Sequence, residues 1–274
     1  MTEGDAPRIR PASSRLVAFM EDPDNEDIAN PIHSTGIARA HGFQGALVGG
    51  ATAYGWTAAT LLDALDTEWL DRGWVHLKFV QPIYPGDSIE VSIAADGEYR
   101  LESERGLCIG GEAGHGTAPW IAELEANEFE PGQPAKGARP GLVLENAPVG
   151  EKLRPMSVPV SAEDARTYSR ERERETLGLF VGAAPRVHIG WIAEQLIHLL
   201  HHSYDYGPSI HAQSHIQHLA PLVAGQTFTV TGRCHAAYER GGHHYIENDG
   251  AIWSERREEL VRLRHTSVFH IAKR

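Results

Sequence analysis

Two segments of the chain carry the hydrophobic pattern of a helix buried in a protein core. Leu47 to Asp66 is apolar on nearly all sides, and Gly49, Gly50 and Gly55 allow close contact with neighbouring backbone. Val187 to His202 has an apolar stripe and a polar stripe at helical spacing. The pattern predicts one long central helix in each half of the chain.

The segments that follow the two predicted helices repeat each other without a gap. His76 to Val91 reads HLKFVQPIYPGDSIEV, and His215 to Val230 reads HIQHLAPLVAGQTFTV, at an offset of 139 residues. Each copy predicts a strand, a Pro-x-x-x-Gly turn and a second strand, because proline ends a strand and glycine suits the turn. The same offset superposes the two predicted helices, so chance similarity between two unrelated domains is the weaker interpretation.

Further β-rich runs follow each copy, at Trp120 to Leu124 in the first half and at Gly242 to Ile246 and Val261 to Ile271 in the second. A sheet wrapped around a central helix buries that helix on most faces. We therefore expect an α+β fold, in which two similar units are fused into a pseudo-dimer.

The middle of the chain has the composition of a linker. Phe129 to Gly150 contains four prolines and four glycines and has no sustained periodicity. The predicted organisation is a first unit over residues 1–128, a linker over 129–150 and a second unit over 151–274.

Composition and charge argue against a nucleic-acid-binding protein and against a membrane protein. The chain has 274 residues, 41% of them hydrophobic, and a net charge of −12. It has no clustered Lys and Arg to neutralise phosphates, which argues against nucleic acid as a partner. It has no apolar run of the length a membrane helix needs, and its N-terminus has no apolar signal region, so we expect no membrane partner. Two cysteines, Cys108 and Cys234, form no disulfide framework, which suits the cytoplasm.

The most informative segment is ANPIHSTGIARAHGFQGALVGG, from Ala29 to Gly50. Asn-Pro-x-His, then Ala-x-x-x-Gly-Phe, then a glycine at the start of a buried helix resembles the MaoC-like family of (R)-specific enoyl-CoA hydratases and dehydratases. The resemblance implies a tandem (double) hotdog, each half a long central helix wrapped by an antiparallel sheet. It implies an acyl-CoA or acyl-carrier-protein thioester as substrate, no metal and no cofactor beyond the CoA of the substrate, and it is compatible with a homodimer.

This chain matches the family motif except at one position. Asn30, Pro31 and His33 match it, Phe43 matches the aromatic of the Gly-Phe step, and Gly50 falls where the family has its oxyanion glycine. The family's catalytic aspartate would fall at Ile28. The nearby carboxylates are Asp24, Glu26 and Asp27.

The chemistry of hydration explains these residue types. Adding water to an enoyl thioester needs an acid/base group, which histidine supplies near neutral pH, and a donor for the enolate oxygen, which a backbone N–H at a helix start supplies. We expect His33 to do the proton transfer, Asn30 to hold the water or the imidazole, and the Gly50 N–H to bind the enolate oxygen. Gly50 equally fits a role in tight helix packing. Phe43, Gly49 and Tyr54 are the expected substrate-binding residues.

The second half lacks the motif. Arg172 stands at the position equivalent to His33, so we expect this half to widen the acyl pocket. Glu194, His198 and His201 share one helix face and form a feasible but weak metal-ligand set. On the following strand, His211 and His215 are expected to share a face and His218 to point the other way.

Two other functions remain open. Some hotdog thioesterases use a helix carboxylate to activate water, which draws attention to Asp63 and Glu194. A non-catalytic acyl-binding protein is the other alternative, because the family aspartate is missing. Lys78 and Arg39 are weak candidates for contact with a CoA phosphate.

Overall fold

A single ten-stranded antiparallel sheet forms the frame of the protein in a computed structural model, which describes residues 8–20, 30–135 and 137–272. The strand order is β1-β3-β4-β5-β2-β7-β10-β9-β8-β6. The strands are β1 Ala12–Val17, β2 Gly73–Phe79, β3 Ser88–Ile93, β4 Glu98–Ser103, β5 Gly106–His115, β6 Met156–Val160, β7 Ile210–His218, β8 Gln226–Arg240, β9 His243–Trp253 and β10 Glu259–His270.

Seven α-helices accompany the sheet in the part of the chain that is described. They are α1 Thr35–Ala40, α2 Gly50–Gly55, α3 Ala58–Leu65, α4 Trp69–Arg72, α5 Ala162–Thr167, α6 Gly178–Val181 and α7 Ile189–Ser203. Short 3-10 helices cover Pro31–His33, Ile121–Glu123 and Leu144–Asn146, and a π-helix covers Tyr168–Arg172. Within these described residues, no helix has both the length and the apolar character needed to span a bilayer.

The two halves of the sheet have the same internal order. The order β1-β3-β4-β5-β2 of the first half recurs as β6-β8-β9-β10-β7 in the second, and the halves join where β2 pairs antiparallel with β7. In that pairing His76 lies opposite His215, its equivalent in the sequence repeat. The repeats are therefore related by an approximate two-fold axis that passes between these residues, which confirms the predicted α+β double unit.

The central helices pack against each other on one face of the sheet. Helix α2 begins at Gly50 and α7 at Ile189, again 139 residues apart. A side chain at Gly190 would lie 3.2 Å from the carbonyl oxygen of Ala51, which shows how closely the two helices approach. A single hydrophobic core includes α2, α3 and α7 together with strands of both halves.

The first central helix is broken, contrary to the prediction of one helix over Leu47 to Asp66. Residues 56 and 57 form a turn between α2 and α3. The Thr57 hydroxyl and the Thr57 backbone N–H both donate to the carbonyl of Tyr54, at 2.7 and 3.0 Å. This local hydrogen bonding competes with the α-helical ladder and interrupts it.

Two segments between the halves have more structure than a strand or a free linker would have. The first was predicted as β-rich and the second as a linker. The run Trp120 to Leu124, predicted as β-rich, forms a 3-10 turn, and Trp120 packs edge-on against Trp74 of β2 with ring centroids 6.1 Å apart. Within the predicted linker, the N–H groups of Leu142 and Gly150 donate to the carbonyls of Asp205 and Cys234 in the second half.

Candidate functional site

The histidine of the Asn-Pro-x-His motif sits on a short 3-10 helix, Pro31–His33, whose position is fixed by Asn30. Asn30 donates to the Ser209 carbonyl at 2.8 Å and accepts from the Ser209 N–H at 3.0 Å, just before β7 begins. It also accepts from the Ile32 N–H at 3.4 Å as the helix cap, and Pro31 suits the first helical position. The motif thus ties the His33 turn of the first half to the second half.

The ring of His33 is oriented by one strong hydrogen bond. Nδ1 lies 2.6 Å from the carbonyl oxygen of Leu47. Since a carbonyl only accepts, Nδ1 carries a hydrogen, and in the neutral ring Nε2 presents a lone pair. Burial lowers the pKa of His33 below its usual value, the bond to Leu47 partly offsets this, and the charge of Arg172 lowers the pKa further. His33 is therefore a neutral base at neutral pH.

Two glycines place the start of α2 beside this base. Gly49 is the residue before the helix, and a Cβ there would lie 3.8 Å from Nε2 of His33. A Cβ on Gly50 would lie 2.8 Å from atoms of both His211 and Phe79, so Gly50 is needed for packing. The first N–H groups of a helix have no partner within it, so backbone donors lie near the imidazole. Both meanings proposed for Gly50 are compatible with this geometry.

Two cavities meet at His33. The larger has a volume of about 590 Å³ and is lined by residues of both halves. The smaller has a volume of about 450 Å³. His33, Gly49 and Arg172 line both, so the imidazole stands where they join. Apolar side chains of the larger cavity include Val48, Phe79, Ile83, Ile197, Ile210 and Val268.

Three solved structures share this architecture over nearly the whole chain. One, from Chloroflexus aurantiacus J-10-fl, is described as a MaoC domain protein dehydratase, and it matches with a TM-score of 0.63 and 12% identity over 99% of both chains. A conserved hypothetical protein from Mycobacterium tuberculosis, described as a double hotdog, gives 0.59 and 11% identity over 96% of both chains. The chain has the double-hotdog fold. A MaoC-like dehydratase gives 0.58 and 11% identity over 94% of this chain and 98% of its own. No protein-family model and no curated protein matches the sequence.

The second hotdog contributes a charged pair to the cavities. The guanidinium of Arg172, at the end of the π-helix, donates from Nη2 to Oε2 of Glu194 on α7 at 2.8 Å. It also lies 5.2 Å from the ring centre of Tyr168. The Arg172 side chain is 49% exposed, whereas Glu194 is buried, so the carboxylate anchors a guanidinium that keeps open surface.

The helix start of the second hotdog is closed. His188 occupies the position equivalent to Gly49, and its Nδ1 accepts the N–H of Gly190 at 3.3 Å. Its fully buried ring packs against Phe180, with centroids 4.7 Å apart. The side chain therefore fills the space and uses a backbone donor that the first hotdog leaves beside His33.

Of the other predicted site residues, one lines a cavity, one lies in the core and three are exposed. Phe43 lines the larger cavity. Tyr54 is fully buried in the hydrophobic core, because it lies on the face of α2 that is turned away from the cavities. Asp63, Lys78 and Arg39 are exposed and line neither cavity. Ile28 and its neighbours Asp24, Glu26 and Asp27 lie outside the described residues.

The histidines of the second hotdog are arranged differently from the strand prediction. A register shift of β7 against β10 between Thr266 and Ser267 places His211 on the same face as Ser214, whose hydroxyl lies 2.7 Å from His211 Nε2. His211 lines the larger cavity, whereas His215 stacks on His76 on the opposite face, so the expectation of a shared face is wrong.

The predicted metal-ligand set is occupied by other contacts. Glu194 pairs with Arg172 and lies 3.6 Å from His198, while the ring of His201 stacks on Tyr206. Over the described ranges, the cluster with metal-like spacing is a different one, Glu125, His235 and Asp249. Its Asp249 accepts both a 2.7 Å bond from Arg264 and the N–H of Glu125, so this carboxylate is already paired.

Sequence reasoning did not assign site roles to Arg172 and His211. A signal for Arg172 was present, because the repeat places it at the position of His33 and a two-fold arrangement brings positions near the axis together. His211 was visible as a histidine on a predicted strand, but the register shift that turns it toward the cavity has no marker in the sequence.

Proposed function

We propose that this double-hotdog protein is a hydratase or dehydratase that interconverts an enoyl thioester and a 3-hydroxyacyl thioester. The observation that carries the proposal is His33. Its Nδ1 is fixed on the Leu47 carbonyl, and its Nε2 is a neutral base beside the helix start at Gly49, where two cavities join.

His33 serves as both base and acid in this proposal. In the dehydration direction, Nε2 takes the α-proton of the 3-hydroxyacyl thioester, and the electron pair of the broken C–H bond moves toward the thioester oxygen. An N–H at the start of α2, at Gly50, binds the resulting enolate oxygen. The enolate then collapses to the C=C bond, the β-hydroxide leaves, and it takes the proton from His33 to become water.

A single acid/base residue is consistent with the surroundings of the ring. Of the described residues, Glu171 and Glu194 are the carboxylates that line the cavities, and neither forms a hydrogen bond with His33. A second group is not required, because the α-proton and the β-hydroxyl can lie on the same side of the substrate.

The two cavities suit the two arms of an acyl thioester. The larger one has an apolar lining suitable for an acyl chain. The smaller one, lined by Phe19, Thr52 and Tyr168 among others, would hold the pantetheine arm of CoA or of a carrier protein. The thioester carbonyl would then lie at the junction, beside His33.

Both cysteines are buried and unpaired, and we place the activity in the cytoplasm.

Product analysis tests the proposal. The protein is incubated with enoyl-CoA thioesters of several chain lengths, while enone absorbance and free thiol are followed together. We expect enone absorbance to fall at constant thiol, and His33→Ala to lower the rate by about 10²–10⁴-fold.

His41→Ala is the matched control. Its Nδ1 also bonds a carbonyl, that of Ile37 at 3.0 Å, but it lines neither cavity. We expect this variant to keep the wild-type rate. Release of thiol by the wild type would identify a thioesterase, and binding without any turnover would identify an acyl-binding protein; either result contradicts the proposal.

A further inference from the structure

The residue that the second hotdog carries at the position of His33 lies in the same site as His33. That residue is Arg172, and it lines both cavities together with His33. The two-fold axis marked by His76 and His215 accounts for this, because positions close to the axis meet their own equivalents. The second hotdog therefore contributes a cation to the first hotdog's site.

One hydrogen bond holds the guanidinium of Arg172 in place, and other N–H groups of the guanidinium remain for a ligand. Its Nη2 bonds Glu194 at 2.8 Å, and its side chain is about half exposed, toward the cavities. A guanidinium has five N–H groups, so donors remain for a ligand. In the described part of the chain, Arg172 is the one Lys or Arg that lines either cavity.

The charge of Arg172 acts on His33 through space. It disfavours a second positive charge and so lowers the pKa of His33. The other titratable groups that face the cavities are two carboxylates, Glu171 and Glu194, and the imidazoles of His198, His201, His211 and His243. The phenols of Tyr168 and Tyr245 also face them, and that of Tyr168 stays neutral because burial raises its pKa.

We propose that Arg172 is a catalytic residue whose guanidinium binds the thioester oxygen and stabilises the negative charge formed there when His33 takes the α-proton. This rests on the proposed function. Bonds from a cation to an anion are about twice as strong as neutral ones, and the bond strengthens as the enolate forms. The same cation keeps His33 neutral and able to accept the proton.

Kinetics of Arg172 variants test the first role. Loss of one preorganised donor to an oxyanion lowers kcat by about 10²-fold or more, so we expect this of Arg172→Gln, with KM changed only a few-fold. Arg172→Lys should keep part of kcat, and added guanidinium ion should restore part of the kcat of Arg172→Ala. Equal kcat in wild type and Arg172→Gln would overturn the proposal.

Arg170→Gln is the matched control. Arg170 belongs to the same π-helix and donates to the Val181 carbonyl at 3.1 Å, but it lines neither cavity. We expect it to keep kcat. A loss as large in Arg170→Gln as in Arg172→Gln would show that both changes act by disturbing the π-helix, and would overturn the proposal.

Titration of His33 by NMR tests the second role without any turnover. The His33 Cε1–H signal is assigned as the one absent from His33→Gln. Arg172→Gln should raise the pKa of His33, and Glu194→Gln, which removes the opposing negative charge, should lower it.

Opposite shifts in these two variants would support the electrostatic role even if no substrate were turned over, which separates this inference from the proposed function. An unchanged His33 pKa in Arg172→Gln would contradict it.

Discussion

His76 and His215 stack across the centre of the sheet, with ring centroids 4.1 Å apart and planes only 6° from parallel. They are equivalent in the sequence repeat and directly opposite in the pairing of β2 with β7. The side chain of Gln213 contacts both rings at Nε2, at 2.8 and 3.5 Å. The approximate two-fold axis passes between these two residues. The two similar hotdogs that it relates form one asymmetric site together.

We expect this pair to contribute to a loss of stability in acid. Burial lowers the pKa of His76 to about 4 and of His215 to about 3. Lys78 lowers the pKa of His76 further, and His76, Arg264 and Lys78 lower that of His215 further. The unfolded state, with a His pKa near 6.5, takes up protons that the folded state refuses as the pH falls from about 6.5 to about 4. Stability is therefore lost over that range.

The double variant His76→Phe with His215→Phe keeps two stacked rings and removes both titrations. We expect its free energy of unfolding, from urea titrations between pH 7.5 and 4.5, to depend less on pH than that of the wild type. An equally steep dependence would show that this pair does not cause the acid sensitivity.

His218 is a buried imidazole whose replacement should stabilise the protein. Neither ring nitrogen has a hydrogen-bond partner among the described residues, and burial lowers its pKa to about 3. The equivalent residue of the first hotdog is Phe79. An unpaired buried polar group costs about 1–3 kcal/mol, so His218→Phe should raise the free energy of unfolding by about 1 kcal/mol at pH 7.5 and by more at pH 5.5.

Urea denaturation measures the effect, with His218→Leu as a smaller apolar replacement. If both variants were less stable than the wild type at both pH values, His218 would have a polar partner that this account does not contain.

The two glycines at the start of α2 should respond differently to alanine. At Gly50 a Cβ would press against His211 and Phe79 at 2.8 Å, so Gly50→Ala should cost about 1–3 kcal/mol of stability. At Gly49 a Cβ has only ordinary contacts, 3.5 Å or longer, including the His33 ring. Gly49→Ala should fold with nearly wild-type stability and lose activity, because its methyl group would occupy the space beside Nε2 of His33 where the substrate is proposed to react. Thermal unfolding and turnover distinguish the two, and equal stability of both variants would contradict the packing argument.

Asn30 should prove to be a positioning residue. Its side-chain amide donates to the Ser209 carbonyl and accepts from the Ser209 N–H. Asn30→Ala should therefore lower the free energy of unfolding by about 1–3 kcal/mol. It should also reduce kcat without moving the pH profile set by His33. Asn146 accepts from Val143 and donates to Gly141 in a similar way, away from the cavities. Asn146→Ala should leave kcat unchanged. A shifted pH profile in Asn30→Ala would instead place its amide on the imidazole or on the reacting water.

Much of the fold could be predicted because the internal repeat is visible in the amino-acid sequence. The gapless match of His76–Val91 with His215–Val230 predicted equivalent pairs of consecutive strands, which are β2 with β3 and β7 with β8. The offset also predicted a helix at equivalent places in the two halves, and α2 and α7 begin within three residues of the predicted starts. The break after Gly55 was not predictable from hydrophobicity, because it depends on hydrogen bonds of Thr57 to its own turn.

The site was only partly predictable for a related reason. The Asn-Pro-x-His motif located His33, since it is local in sequence. Arg172, Glu194 and His211 lie more than 130 residues from His33 in the chain and reach the cavities only through the two-fold packing and a register shift. Tyr54 shows the converse, because a helix start identifies a site but not which face of the helix lines it.

The position of deuterium in the product tests the central claim most directly, namely that Nε2 of His33 moves the α-proton of an acyl thioester. An enoyl-CoA is incubated with the protein in D₂O, and the product is examined by mass spectrometry and NMR. We expect an intact 3-hydroxyacyl thioester with one deuterium at the α-carbon, formed by the wild type and by His41→Ala but not by His33→Ala. An unlabelled α-carbon with release of free thiol, or equal labelling by His33→Ala, would contradict it.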